Sequence, residues 1–311
     1  MKKELLEYIV CPGCKGKLDL RAPVYERGQI KSGELVCSCG RSFKVMNFIP
    51  RFVAGDDYVK SFSFEWQRHS KTQVDSLSRH NVSQAQFKSR VDFPLSALKE
   101  KLVLDAGCGT GRYSEVALKN GATVIGVDLS YSVDVAYANM GEDPNAHFIQ
   151  ADIMNLPLRE KTFDFIFSFG VLHHTPDARK AFACVAKLAK PGAGFSMFVY
   201  SSYNKGIVYS SAFWRFFTTR MPKRLLYALS FISVPLYYLY KIPVIGSLGK
   251  MLFVIPMWKD WSWRVLDTFD WYSPKYQSKH THWDVFKWFC ESDFRDIRIF
   301  ENEVSMMGTK I

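Results

Sequence analysis

Residues 105 to 111, Asp-Ala-Gly-Cys-Gly-Thr-Gly, set three glycines at alternate positions directly behind a carboxylate. A glycine-rich turn between a strand and a helix lets backbone approach a ligand closely. The dinucleotide version spaces its glycines G-x-G-x-x-G, so that a helix N-terminus meets a pyrophosphate. Here the spacing is G-x-G-x-G, and Asp105 beside the turn would repel a pyrophosphate; it suits a cationic amino group. Two further acids, Asp128 and Asp152, follow the next two apolar runs. A carboxylate at Asp128 can take both hydroxyls of a ribose. Asp152 is placed to accept from an adenine amino group, with Ile153 packing on the ring.

A second set of residues has metal-ligand chemistry. Cys11-Pro-Gly-Cys14 and Cys37-Ser-Cys39-Gly40 bracket a short polar, hairpin-like segment. Two such knuckles suit tetrahedral Zn²⁺, which takes four soft ligands from two turns. Gly13 and Gly40 leave the backbone room to fold toward the sulfurs. The second pair is C-x-C where C-x-x-C is usual, and a small β unit with free thiols is the alternative. A third set, His173 and His174, follows the run FDFIFSFGVL. Histidine titrates in the range useful to a proton acceptor; the alternative is that the pair closes a turn before Thr175-Pro176.

These residues need a frame. KLVL, TVIGVD, AHFIQ, FDFIFSF and GAGFSMFVY are apolar runs suited to central strands, and helical stretches separate them. Alternation of this kind predicts an α/β fold with a doubly wound parallel sheet, whose carboxyl edge carries the ligand. THWDVFKWFCESDF reads as an amphipathic helix and DIRIFENEVSMMGTKI as a strand hairpin. The predicted organisation is a zinc-ribbon-like unit over 1–54 and a helical connector over 55–100, with Phe62, Phe64 and Trp66 as a candidate cofactor flap. The core then takes 101–200 and 283–311, around an apolar, basic insertion over 201–282.

The runs VLDAGCGTGRY, VIGVDLS, ADIMNLP, FDFIFSFGVLHH and LAKPGAGF resemble the successive motifs of class I methyltransferases dependent on S-adenosylmethionine (SAM). The likeness is to the small-molecule kind that includes ubiquinone and menaquinone biosynthesis enzymes. SAM carries an ammonium, a sulfonium and no phosphate, in keeping with the loop. The resemblance implies a Rossmann-like seven-stranded sheet with the last strand antiparallel. It also implies cofactor contacts from Asp105, Gly107, Gly109, Gly111, Asp128, Leu129, Asp152, Ile153 and the backbone near Phe169. The N-terminal cysteine unit with its closing IPRF resembles zinc-ribbon-like domains attached to some methyltransferases, including rRNA guanine methyltransferases. DWYSPKYQSKHTHW resembles an acceptor-side element of the family, which makes Tyr272, Tyr276, His280 and His282 candidates; a plain surface loop is the alternative.

The 311-residue chain has a formal charge of +11 and 15% aromatic residues, which favours an anionic partner. From Ala178 to Lys259 there is no Asp or Glu, while twelve Lys and Arg fall there, in the same stretch as the apolar strip 225–258. A crossover between strand and helix could be far shorter than this insertion. The strip is interrupted by Pro235, Lys241, Pro243 and Pro256, and falls short of the ~20 apolar residues a spanning helix needs. An in-plane element at an anionic membrane surface is expected, with a buried lid and a crossing as alternatives. The opening MKKELLEYIVCPGC has only a brief apolar run, so a cytoplasmic protein, peripheral at the membrane surface, is expected. The sequence therefore predicts a methyltransferase acting on a lipid, quinone or lipid-linked acceptor; an RNA methyltransferase holding nucleic acid through its zinc ribbon is the alternative.

Overall fold

The computed structural model describes residues 1–53, 74–78, 81–301 and 303–311. Strands β1 (Leu18–Glu26), β2 (Gln29–Cys37), β3 (Ser42–Met46) and β4 (Ile49–Arg51) form an antiparallel meander. Five strands follow that run parallel to one another: β5 (Leu102–Ala106), β6 (Thr123–Asp128), β7 (Ala146–Gln150), β8 (Phe163–Phe169) and β9 (Ala189–Val199). The last two are β10 (Phe294–Phe300) and β11 (Val304–Lys310), and β11 is antiparallel to both its neighbours.

All eleven strands form one sheet, in the order β1-β2-β3-β4-β7-β6-β5-β8-β9-β11-β10. This corrects the expectation of a seven-stranded sheet beside a separate small unit. The join is β4, which lies parallel to β7 with Arg51 opposite Gln150. There the Arg51 guanidinium takes both carboxylate oxygens of Asp134, at 2.6 and 3.0 Å, and the Gln150 side-chain oxygen at 2.8 Å. Apolar burial does the rest. Leu5, Ile9, Ile30 and Leu35 are closed off from solvent and share one core with Leu104, Ile125 and Ile166. Both outermost strands bulge, β1 between Arg21 and Tyr25 and β10 between Arg295 and Arg298.

Strand β8 shows why the centre is so stable in register. Phe165, Phe167 and Phe169 are buried on one face and Ile166 and Ser168 on the other, as expected for a strand covered on both faces. Helix α1 (Val82–Lys88) inserts Phe87 edge-on against Phe167 and Phe169, with ring centroids 5.0 and 5.6 Å apart. Helices α2 (Arg112–Lys119), α3 (Ser132–Met140) and α4 (Ala178–Ala186) are crossovers of the parallel strands. The flap proposed from Phe62, Phe64 and Trp66 lies outside the described residues.

Between β9 and the helix α10 (His282–Glu291) the chain makes five helices: α5 (Lys205–Thr218), α6 (Lys223–Ser230), α7 (Ser233–Leu239), α8 (Pro243–Leu252) and α9 (Trp261–Tyr272). Among the described residues no helix is long and apolar enough to cross a membrane. Helix α9 is the anchor. Arg215 on α5 donates to the Trp271 and Pro274 carbonyls at 3.1 and 2.6 Å, Thr218 to the Tyr272 carbonyl at 2.9 Å, and Lys223 to the Ser273 carbonyl at 2.8 Å. The outer faces are apolar and uncovered: Tyr209, Val244 and Leu252 are 72, 71 and 69% exposed.

Candidate active site

A cavity of about 760 Å³ opens where the carboxyl ends of β5 to β9 meet the helical insertion. Its size falls in the range of small-molecule sites. One wall is the glycine loop and the acids that follow it: Gly107, Gly109, Asp128, Leu129, Asp152, Ile153 and Phe169 all line the cavity. Gly107 must be glycine on two counts. Its φ is +94°, and a Cβ would stand 2.3 Å from Val171 Cγ1. The loop's amides are already committed. Gly107 and Cys108 donate to the Val127 carbonyl at 2.8 and 2.9 Å, and Gly109 donates to Asp128 Oδ2 at 3.0 Å. A phosphate would find none of these three donors free, which fits a cofactor without phosphates.

Asp128 also accepts from the Ser130 amide and hydroxyl through Oδ1, at 2.9 and 2.8 Å. The carboxylate is thereby fixed at the cavity edge, with lone pairs left for ligand hydroxyls. Asp152 is held similarly by the Met154 amide at 2.8 Å. Two residues of the expected set stand behind the wall. Asp105 is 2% exposed and accepts from the Ser114 hydroxyl at 2.6 Å, and burial pushes its carboxyl up to about 7. It braces the loop from beneath. Gly111 starts α2 at φ +86°, where a Cβ would meet Met140 Cε at 2.0 Å. Its glycine is required by packing.

The other end of the cavity is lined by His174, Thr175, Phe198, Tyr200, Trp263, Asp267, Asp270 and Trp271. His174 donates from Nδ1 to the Tyr276 carbonyl at 3.0 Å, which fixes its tautomer, and burial lowers its pKa to about 4. His173 lies one layer deeper, buried, with its ring centroid 3.9 Å from that of Tyr200; burial holds it well below the usual histidine range. Both imidazoles are neutral at pH 7. Tyr272 faces away from the cavity. Its hydroxyl sits between the amide and carbonyl of Val254, at 2.8 and 3.2 Å, and its ring stacks on Phe253. His280 pairs with the Ser278 hydroxyl at 2.7 Å and meets the Trp288 ring edge-on. His282 pairs with the Tyr203 hydroxyl at 3.1 Å. Of the distal element, Asp270 and Trp271 line the cavity, and backbone groups of Tyr276 and His280 reach cavity residues, the carbonyl to His174 at 3.0 Å and the amide to the Tyr200 carbonyl at 2.8 Å.

Sequence reasoning missed Tyr200, Asp267 and Asp270. Asp267 accepts from the Trp258 indole at 2.6 Å, and burial pushes its carboxyl up to about 6. Asp270, half-buried, accepts from the Tyr200 hydroxyl; burial first, then the charge of Asp267, push it up to about 7. A signal was present in the sequence. After a stretch without acids, two carboxylates three positions apart share one face of α9, otherwise largely apolar.

The four N-terminal cysteines converge. Their sulfurs all lie within 4.8 Å of one another, with Cys11–Cys39 at 3.7 Å and Cys14–Cys37 at 3.4 Å. Tetrahedral zinc–thiolate bonds of ~2.3 Å place sulfurs roughly 3.8 Å apart, so the donor set fits that ion. The C-x-C pair reaches inward because Gly40, at φ +86°, turns its knuckle tightly. Gly16 completes the cradle, since a Cβ there would stand 3.2 Å from Cys14 Sγ and 3.4 Å from Cys37 Sγ.

The family model described as a methyltransferase domain matches residues 104–197, which carry the loop, Asp128, Asp152, the cavity-lining His174 and the buried His173 behind it. Residues 104–197 are a methyltransferase domain. With the sheet order above, the chain has the class I SAM-dependent methyltransferase fold. A second family model, for Trm112p-like proteins, matches residues 2–47, which include the four cysteines. The ubiquinone biosynthesis O-methyltransferase of Coxiella burnetii is 41% identical over 97 residues, 30% of this chain and 42% of that protein. The enzyme of the same description from Hahella chejuensis is 35% identical over 109 residues, 33% of this chain and 46% of that protein. The chain thus spans less than half the length of these curated relatives. Among solved structures, a complex of the Haloferax volcanii Trm112 methyltransferase activator with a methyltransferase aligns at 12% identity and TM-score 0.48, covering 83% of this chain and 99% of that one. Magnesium protoporphyrin IX methyltransferase from Synechocystis aligns at 18% and 0.47, covering 82 and 97%.

Proposed function

We propose that this protein transfers the methyl group of SAM to a hydroxyl of an apolar acceptor, a lipid, quinone or lipid-linked small molecule, taken from an anionic membrane surface. One observation carries the reading. The same cavity is lined by the methyltransferase loop on one side and by Ile207, Val254, Ile255, Pro256 and Met257 of the insertion on the other. An apolar acceptor held there would face the cofactor, and alignment of the two supplies much of the rate. SAM, when bound, contributes an activated methyl carbon. Gly107, Gly109, Asp128, Leu129, Asp152, Ile153 and Phe169 are the residues proposed to hold it, with Asp105 and Gly111 bracing the loop. Cys11, Cys14, Cys37 and Cys39 are proposed to hold one structural Zn²⁺.

The membrane component rests on the outward faces of α5 to α8. Most of the exposed large apolar side chains among the described residues fall between Tyr203 and Trp261. Exposed Lys205, Arg220, Arg224, Lys241, Lys250 and Lys259 accompany them, with no acid before Asp260. Each cation near an anionic surface contributes about 1 kcal/mol, fading with salt. The likeness to ubiquinone biosynthesis O-methyltransferases over residues of this domain supports a hydroxyl acceptor. A second reading, methylation of RNA, is favoured by the Trm112p-like match at the N-terminus and the charge of +11.

Incubation with labelled SAM and separate lipid and RNA extracts, followed by mass spectrometry, tests both. Label in an ether of the lipid fraction is the expected result. Label confined to RNA would overturn the apolar-acceptor reading.

A further inference from the structure

We propose that Asp270, oriented by Tyr200, is the group that receives the proton of the acceptor hydroxyl. This rests on the reading of the cavity as an O-methyl transfer site, and it names a residue outside the methyltransferase domain. The chemistry sets the need. As the acceptor oxygen bonds to carbon, the carbon–sulfur electron pair leaves with sulfur, and the hydroxyl proton must go to a nearby base.

Among the described residues, His174, Asp267 and Asp270 bring proton-accepting side chains to the acceptor end; Glu303 also lines the cavity, where its carboxyl faces the charge of Arg90. His174 is a weak base there, since burial lowers its pKa to about 4. Asp267 is committed to the Trp258 indole at 2.6 Å. Asp270 accepts from the Tyr200 hydroxyl and lines the cavity. Tyr200 directly follows β9 and lines the cavity too, its ring against those of His173 and Trp271, at 3.9 and 4.7 Å between centroids. The dyad is therefore built from the core sheet on one side and the insertion on the other.

The charged and titratable groups around Asp270 set its proton affinity. Burial and the neighbouring Asp267 raise it, while Arg215 on α5 and the Tyr200 hydroxyl lower it, with a net value of about 7. A base is most effective with a pKa near working pH. Below that value Asp270 is protonated and cannot accept; above it the carboxylate is ready. Activity should therefore rise with pH through this ionisation.

The test combines infrared titration of the full chain with methyl transfer to 4-octylcatechol as a probe acceptor. Wild type should show a carboxylic-acid absorption that ionises near pH 7, moves when the probe is added, and disappears in Asp270→Asn. Tyr200→Phe should fold and raise that midpoint, because a hydrogen bond favouring the carboxylate is lost. In the transfer assay Asp270→Asn should lose roughly 100-fold in kcat with SAM affinity unchanged, and Asp270→Glu should recover part. Asp105 and Asp267 ionise in a similar range, so the decisive signal is the one that moves with the probe. If that signal survives in Asp270→Asn, or no absorption responds to the probe, Asp270 is not the proton acceptor. A probe-sensitive Asp270 in a wild type that forms no methyl ether would leave the proton site standing and overturn the O-methyl reading instead.

Discussion

The chain carries two additions to its methyltransferase sheet, and they treat apolar surface in opposite ways. The N-terminal unit buries it: Leu5, Ile30 and Leu35 are at most 1% exposed, within the central core. The insertion shows it: Leu225, Leu229 and Ile232 are about half exposed, at 50, 48 and 50%. Both are small, and both are attached by polar contacts, Arg51 with Asp134 on one side and His174 with the Tyr276 carbonyl on the other. What differs is the destination of the apolar side chains. An element whose hydrophobic residues are spent on the core supports the fold, whereas one that leaves them outside is built for contact with something else.

Disrupting the cysteine cluster should have the largest effect. Cys37→Ser removes a buried thiol of the proposed zinc cradle, which shares the main core. Loss of a structural metal site costs more than about 4 kcal/mol, so thermal melting should fall by roughly 10 °C or more. A strong chelator should act in the same direction. An unchanged melt, with four thiols freely titratable, would remove the metal from the account.

Next comes the cofactor wall. Gly107→Ala meets both a forbidden φ and the Val171 side chain, and calorimetry should detect no SAM binding. Asp128→Ala removes a charged acceptor worth about 1.5–3 kcal/mol per hydrogen bond, so affinity should drop roughly 100-fold. Equal affinity in wild type and Asp128→Ala would sink the ribose assignment.

The sharpest form of the comparison makes one chemical change in both additions. Leu35→Ser should cost about 3 kcal/mol or more, since a fully buried side chain is lost and a hydroxyl is left in the core. Leu229→Ser should cost less than about 1 kcal/mol. The triple change of Leu225, Leu229 and Ile232 to Ser should leave the protein folded by circular dichroism, yet weaken its binding to phosphatidylglycerol vesicles at every salt concentration. Wild-type binding should be strongest at low ionic strength. A triple variant that unfolds would mean the strip is a buried lid after all.

A further expectation concerns pH. Asp105 has a folded pKa raised to about 7, above the ~3.9 of a free aspartate. The folded chain thus holds this proton more tightly than the unfolded chain. Its contribution is complete below about pH 4 and is lost as pH rises through 7. Apo-protein stability should fall across that window, and Asp105→Asn should flatten the fall measured by denaturant titration at successive pH values.

Much of the cavity wall proposed to hold the cofactor was legible in the sequence because its residues are local to strand ends. Asp128 and Asp152 each follow an apolar run, and a run that ends at a carboxylate places it at the sheet's edge. The acceptor end was not legible, because it is assembled over long range. Tyr200 and Asp270 are seventy positions apart and meet only when the insertion folds back on β9. Tyr272 and His280 looked chemical by type, but their partners are Val254 and Ser278, which spacing cannot reveal. The continuity of the sheet was hidden for a related reason: β4 is three residues long, too short for any period to register, although it joins the two parts.

The bulges at the two ends of that sheet have a consequence for how the molecule behaves in company. An open strand edge offers a row of unpaired amides and carbonyls to any other chain. Here β1 is interrupted around Pro23, with Ala22 at φ +43°, and β10 around Asp296 at φ +50°, between Arg295 and Arg298. Neither rim presents the flat ribbon that another strand could extend. A protein whose insertion leaves apolar helices exposed has thus closed the other route to sticking, so that crowding should yield reversible clusters through the helices rather than fibrils through the sheet.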